Sequence, residues 1–574
     1  MNTTLILYKI GGKIMKPSNN INLRHFVLVF SFIIGNVMAL FAQTEEIKVI
    51  APYIPTISDA FKINFNPTIN DSIVEVPDLV YVITPRRINT SFQLEPINAA
   101  KMVGEPLTKI YKSYLKLGFG TYTTPLGEYS FNNLRSKNQS YGLRFKHLSS
   151  TGKMDTVGDN SFNNNAIDIY GKQFVDNFII LGGLNYQRKM VHYYGFNPAK
   201  YNDTVSEKNI KQTYSLIGFN LGYASNFADS TKLNHSVKLS YNNLTDFYKT
   251  KESKFSINGS IEKQTKFLKL ANSQMLLVNV NADIYKNKST SEPSSASAIE
   301  IYPQISTYYN EFRITLGLKP SFQLDTISYL HFYPEVDIEA FLVKNIVIAY
   351  IGITGGLERN SFKTLTDENP YVISKIPTGF TNTKYKLFGG LKGAVSSFAT
   401  YNLNINSSVI ENMPFFVNDT SSFLKNRFTV IYDDVQLINF NAQVASQIRE
   451  KLKVLFRADF YQYTMDKELK PWQKPNMKIT LGLNYNIKNK LIFTADVFAY
   501  NTMFAKTYSN GINPVVVPKK LFGFVDFNFG FEYRYTKILS AFLTFNNIEG
   551  ERYFRWNNYP SQRFSFMGGI TYAF

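Results

Sequence analysis

The chain has 574 residues, a formal net charge of +19, a mean hydropathy of −0.17 and no cysteine. The length is more than one soluble core usually holds, and the near-neutral hydropathy argues against a bundle of membrane helices. The lack of cysteine excludes disulfides, thiolate chemistry and a lipid anchor on an N-terminal Cys.

Aromatic residues make up 15% of the chain, with 48 Phe and 38 Tyr but only 2 Trp. No basic stripe is interleaved with base-stacking aromatics, so nucleic acid is not an expected partner. The Lys-rich excess reads as a solvated rim. The other readings are attraction to anionic headgroups and a bias toward anionic solutes.

Residues 1–42 read as a secretory signal: Lys9, Lys13, Lys16 and Arg24 precede the apolar run Phe26–Leu40, and cleavage is expected after Ala42. Residues 43–110 differ from all that follows. Pro52, Pro55, Pro67, Pro77, Pro85, Pro96 and Pro106 recur through them. Prolines that dense block central strands and helix interiors, so the segment reads as an extended periplasmic arm, with a short helix near Ile97–Val103.

From about Tyr111 the pattern becomes alternating. In Val525–Tyr535 the residues Val525, Phe527, Phe529, Phe531, Tyr533 and Tyr535 share one face, and Asp526, Asn528, Gly530, Glu532 and Arg534 share the other. A soluble sandwich would not expose so long an aromatic face, whereas a lipid-facing strand does. Similar strands read at Val237–Tyr241, Tyr329–Leu342, Ala399–Val409, Leu452–Phe460, Lys478–Ile487 and Leu491–Tyr500.

Short polar turns near 136–138, 175–177, 343–345, 488–490 and 536–537 alternate with longer links near 149–163, 192–210, 361–382, 411–433, 506–519 and 549–560. Antiparallel outer-membrane barrels have short periplasmic turns and long external loops, which assigns the two sides. About 22 strands fit residues 111–574, with both ends of the barrel at the periplasmic rim. The expected fold is therefore all-β: a transmembrane antiparallel β-barrel preceded by a short arm.

The chain ends Phe564-Ser-Phe-Met-Gly-Gly-Ile-Thr-Tyr-Ala-Phe574, alternating to the last residue. Gly569, Tyr572 and Phe574 resemble the C-terminal signal read by the barrel-assembly machinery, with Met567 standing where that pattern usually has a polar residue. The tail Phe545-Asn546-Asn547-Ile548, then Arg552-Tyr553, Trp556–Pro560 and the strand after Arg563, resembles the end of TonB-dependent outer-membrane receptors. Glu46, Ile47, Val49, Ile50 and Ala51, interrupted by Lys48, resemble the TonB box of that family, a peptide that binds by adding a strand to a partner's sheet. The resemblance implies a 22-stranded barrel, an N-terminal plug and energised uptake of a large scarce ligand. Residues 43–110 are too few and too rich in proline for such a plug. A lumen that wide needs an occupant, so the arm, inward-folded loops or a partner is expected to fill it.

Candidate sites are sparse. On Tyr329–Leu342 the residues His331, Glu335, Asp337 and Glu339 point into the barrel, as do Asp526, Glu532 and Arg534 on the later strand. They read as a hydrated lumen wall paired with Lys386, Lys392, Arg457, Lys478 and Arg534; an acidic patch for a cation or basic partner is the other reading. No His pair or His/carboxylate cluster has metal-ligand spacing, and Asp433-Asp434 in an external link supplies two acids only. No nucleophile motif points to an enzyme, and no cofactor is expected. Trp472 and Trp556 fall in external links, as interface anchors or ligand-stacking rings. The expected function is solute transport across the cell outer membrane. The alternative is a non-transport scaffold in an outer-membrane complex. The expected partners are outer-membrane lipid, the assembly machinery and a protein bound through residues 43–110.

Overall fold

The computed structural model describes residues 110–574, apart from positions 135, 153, 201–204, 228, 268–272, 289–292, 450 and 510–511. The expected signal, arm, short helix and TonB-box-like peptide lie outside the described residues. Twenty-two strands form one antiparallel sheet, running from Ser113–Gly120 to Ser565–Ala573. These two strands pair with each other, Tyr114 opposite Ala573 and Gly120 opposite Met567. The Ser113 N–H donates to the Phe574 carbonyl at 2.8 Å, and the Phe574 N–H donates to the Ser113 carbonyl at 2.9 Å. The sheet thus has no edge, as a strand structure in lipid requires.

The wall inverts the layout of a soluble core. On Lys211–Ser225, Ile217, Phe219, Leu221 and Tyr223 are exposed outward, while Tyr214 and Leu216 are buried on the inward face. On Phe524–Arg534 the outward set is Val525, Phe527, Phe529, Phe531 and Tyr533, and Phe493, Phe529 and Phe545 touch in sequence across three strands.

The start of the first strand and the end of the last lie at one rim, together with the short turns. Val175 pairs with Phe178 and Tyr309 with Phe312, leaving two-residue turns. In the turn after Ile487, Lys488 and Asn489 both take positive φ, 49° and 58°, the backbone of a tight hairpin turn whose twist matches its strands. The longer links gather at the other, outer rim. Two of them are shorter or more ordered than expected. The strands Ala399–Asn418 and Phe428–Ile448 extend well into the presumed 411–433 loop, leaving only 419–427. The 501–523 link contains a hairpin, Met503–Tyr508 with Val516–Leu521. Both extensions stand above the main apolar belt, where alternation no longer reports a lipid face.

Candidate functional site

The outer links fold inward and meet. The strand Lys211–Ser225 is sixth around the sheet, and Ala399–Asn418 and Phe428–Ile448 are the fifteenth and sixteenth, nearly opposite. Tyr214, Leu216 and Leu244 from the first wall nevertheless share one buried cluster with Phe416, Phe428 and Val430 from the second. The span is filled by Phe362, Leu365, Val372 and Ile376 of the 361–378 link and by Trp556 and Tyr559 of the 547–564 link. Apolar side chains from opposite walls thus meet in one cluster that spans the outer mouth. Beside the cluster lies one small cavity of about 50 Å³, lined by Lys189, Tyr214, Leu216, Leu244, Lys363 and Thr366 among others.

Local chemistry explains why the 361–378 link holds a fixed shape. It opens with the helix Phe362–Glu368, capped by the Ser361 hydroxyl, which accepts from the Thr364 N–H. Two further N–H groups are taken by Glu252, a residue buried on the strand Lys251–Thr265: Phe362 donates at 2.6 Å and Lys363 at 3.0 Å. A carboxylate there satisfies orphan donors and faces the positive end of the helix dipole. Beyond the helix, the Ile373 N–H donates to the Phe428 carbonyl at 2.8 Å and the Phe428 N–H to the Tyr371 carbonyl at 3.0 Å.

Four links are then bolted together through buried polar groups. The Tyr193 hydroxyl donates to the Val372 carbonyl at 2.8 Å, and Tyr214 donates to that of Pro370 at 3.0 Å. Asn426 donates to the Tyr193 carbonyl at 2.5 Å, and Tyr559 in turn donates to the Asn426 carbonyl. Gln212, fully buried, reaches Tyr193, Asp246 and Ser374 with one amide nitrogen. Tyr371 stacks on Tyr559 at 4.0 Å, and Tyr194 meets Tyr559 edge-on at 4.7 Å. Burial raises the hydroxyls of Tyr193, Tyr194, Tyr371 and Tyr559 above the usual tyrosine range, so they remain neutral donors.

Both tryptophans depart from their expected roles. Trp472 is fully buried, packs with Phe415, Val417 and Val435, and donates its ring N–H to Glu468 at 2.7 Å. Trp556 is buried against Phe416 and Phe428 at 5.2 and 5.7 Å. Neither ring lies at the lipid interface or open to a ligand: both are core of the loop layer. Asp433 and Asp434 are also not in a loop. They sit on Phe428–Ile448, where the Asp433 carboxylate accepts from the N–H groups of Lys467 and Glu468, the latter at 2.8 Å. Among the described residues no group of three or more His, Asp or Glu is placed to hold a metal ion.

The residues expected on the lumen wall are engaged in polar contacts. Glu339 is buried and bridges two cations, Arg313 at 2.6 Å and Lys392 at 2.7 Å, and Asp337 is 3.8 Å from Arg313. Glu335 accepts from the Thr354 hydroxyl at 2.6 Å. His331 stands apart from these acids, 3.1 Å from the Gln323 amide oxygen and stacked on Tyr333. Asp526 accepts from the Tyr553 hydroxyl at 2.7 Å, and Glu532 pairs with Arg534 at 3.4 Å. Glu339 and Asp337 are thus paired with cations, while Glu335 is held by a hydroxyl. Arg313, their main counter-charge, was missed, although its place on a strand facing Tyr329–Val343 follows from the same alternation.

The terminal residues show how the final strand fits. Tyr572 and Phe574 are outward and stack at 5.4 Å. Gly569 pairs with Gly118 and faces the Phe542 ring; a Cβ on Gly569 would come within 2.6 Å of that ring and 2.1 Å of the Leu117 carbonyl oxygen.

A closed 22-stranded barrel with an apolar exterior, a polar paired lumen and inward-folded outer links has the fold of the TonB-dependent receptor barrels. Solved structures similar to this chain include the FpvA pyoverdine receptor of Pseudomonas aeruginosa, at a TM-score of 0.62 and 12% identity over 81% of this chain and 72% of that one. They also include the siderophore receptor PirA of Acinetobacter baumannii, at 0.61 and 10% over 82% of this chain and 81% of that one. The FrpB iron transporter of Neisseria meningitidis matches at 0.61 and 10% over 82% of each chain. No family model matches the sequence, and no curated protein matches it.

Proposed function

We propose that the protein resides in the outer membrane and takes part in moving a solute across it, with its outer loop layer as the gate. The observation that carries this is the combination of a polar, charge-paired lumen with an outer mouth closed by the chain's own links. A lumen wall lined by Glu335, Asp337, Glu339, Arg313 and Lys392 suits a hydrated path. The receptor fold supports the same class of function. On this proposal Glu46–Ala51 engages a periplasmic energising partner by strand addition, and Gly569, Tyr572 and Phe574 present the terminal strand to the assembly machinery.

The dry core of the outer layer favours a second reading, a permanently closed scaffold in an outer-membrane complex. Mild detergent extraction followed by mass spectrometry of copurifying molecules separates the two. Transport predicts a bound small solute, and loss of its uptake when residues 46–51 are deleted. A stoichiometric protein partner with no solute and no uptake defect would reject transport in favour of the scaffold.

A further inference from the structure

One sector of the outer layer carries cations without matching anions. The three links 466–476, 501–523 and 547–564 contain Lys467, Lys470, Lys474, Lys506, Lys519, Lys520, Arg552, Arg555 and Arg563 against Asp466, Glu468, Glu549 and Glu551. Within this sector Lys519 donates to two amide oxygens, those of Asn557 at 2.8 Å and Asn558 at 3.1 Å. Burial depresses its ammonium pKa, a sign that no carboxylate compensates for the lost water.

Where these links meet the barrel wall, two further cations are set among aromatic rings, the Lys478 ammonium 5.6 Å from the centre of the Tyr461 ring. Lys478 lies directly opposite Tyr500 on the neighbouring strand, so both side chains share the lumen face. The Arg555 guanidinium lies 4.9 Å from the centre of the Tyr500 ring and 5.7 Å from that of Trp556. Two aromatic rings hold its plane, and its buried Nη1 has no hydrogen-bond acceptor. The nearby carboxylates are engaged elsewhere. Asp459, opposite Lys478 on its other side, accepts from Arg457 at 2.8 Å and Asn441 at 2.7 Å. Glu368 pairs with Lys474 at 2.5 Å, and Asp526 takes the Tyr553 hydroxyl. Among the described residues neither Lys478 nor Arg555 forms an ion pair.

We propose that Arg555, held against Tyr500, and Lys478, on the strand next to Tyr500, form a binding site for a small oxyanion, a carboxylate or phosphate group, on the lumen side of the loop layer. A guanidinium fixed by stacked rings offers a preorganised fork of donors to a planar or tetrahedral oxyanion. A lysine ammonium beside it adds a point charge. The site relieves the repulsion between two neighbouring cations and gives the buried Nη1 an acceptor. It does not depend on transport, since a scaffold could hold the same anion.

The test is calorimetric titration of the full-length protein in detergent with inorganic phosphate and with citrate, at constant ionic strength. Saturable binding is expected, weakened about ten-fold or more by Arg555→Gln and by Lys478→Gln, with Arg555→Lys retaining part of it. Lys537→Gln, at the opposite rim, leaves it unchanged. Lys478 forms no ion pair whose loss would affect assembly, so its variant keeps the test decisive if Arg555→Gln does not fold. Absence of saturable binding, or binding that survives both glutamine variants, would overturn the site.

Discussion

The barrel wall and the outer loop layer are built on opposite plans from one chain. In the wall, apolar residues such as Phe527 and Ile217 face outward and polar residues such as Glu339 and Asn404 face in. In the loop layer, Trp472, Phe416, Phe428 and Tyr193 are buried in dry clusters, as in a soluble protein. The wall draws its stability from a closed hydrogen-bonded ladder in lipid. The layer draws it from packing against itself across the lumen. The two should therefore fail separately and by different mutations.

The largest effect is expected at the closing seam. Deleting Tyr572–Phe574 removes the residues paired with Ser113–Leu115 and leaves the rim ends of both neighbouring strands unpaired, so no heat-modifiable barrel should reach the outer membrane. Immunoblotting of membrane fractions checks this, and normal assembly would break the account of closure.

In the loop layer, Trp556→Ala removes a buried ring that touches Phe416 and Phe428, at a cost of about 3–5 kcal/mol. The loss should stay local. Hydrogen exchange or limited proteolysis should show the 361–378 and 547–564 links opening while the barrel stays heat-modifiable.

In the wall, Phe529→Arg places a charge toward lipid between Phe493 and Phe545, at about 2–4 kcal/mol near the midplane, and should reduce assembly. Asn281→Arg, on the lumen face opposite Glu300, should assemble normally. Equal assembly of the two variants would contradict the face assignment.

The smallest effect is expected from Glu252→Gln, which keeps one acceptor for the Phe362 and Lys363 N–H groups but removes the charge at the helix N-terminus. Loosening by about 1–2 kcal/mol should appear as faster exchange confined to 362–368.

How much of this is legible in the sequence follows from the same contrast. A strand between lipid and water writes its environment into every second residue, so Val525–Tyr533 and Phe564–Phe574 declare both strand and face. The 22-strand count follows from the alternation of short and long links. The loop layer has no such period. Its core is assembled from single residues far apart in the chain, such as Leu244, Phe362, Phe428 and Trp556, whose meeting depends on closure of the barrel. That is why Trp472 and Trp556 read as surface rings, and why Asp433 read as a loop acid rather than a brace for the 466–468 backbone. His331, read with the acids on its strand, instead meets Gln323, which lies two residues from its cross-strand partner Ser321.

The central claim is that the chain's own outer links shut the mouth. It is tested by single-channel conductance of two proteins, both with the signal peptide joined to Lys109 so that the preceding arm cannot contribute. One keeps the 361–378 link; in the other, residues 363–375 are replaced by a short Gly/Ser linker. The account predicts low conductance with the link intact and a large, steady conductance once it is replaced. A large conductance with the link intact would contradict it.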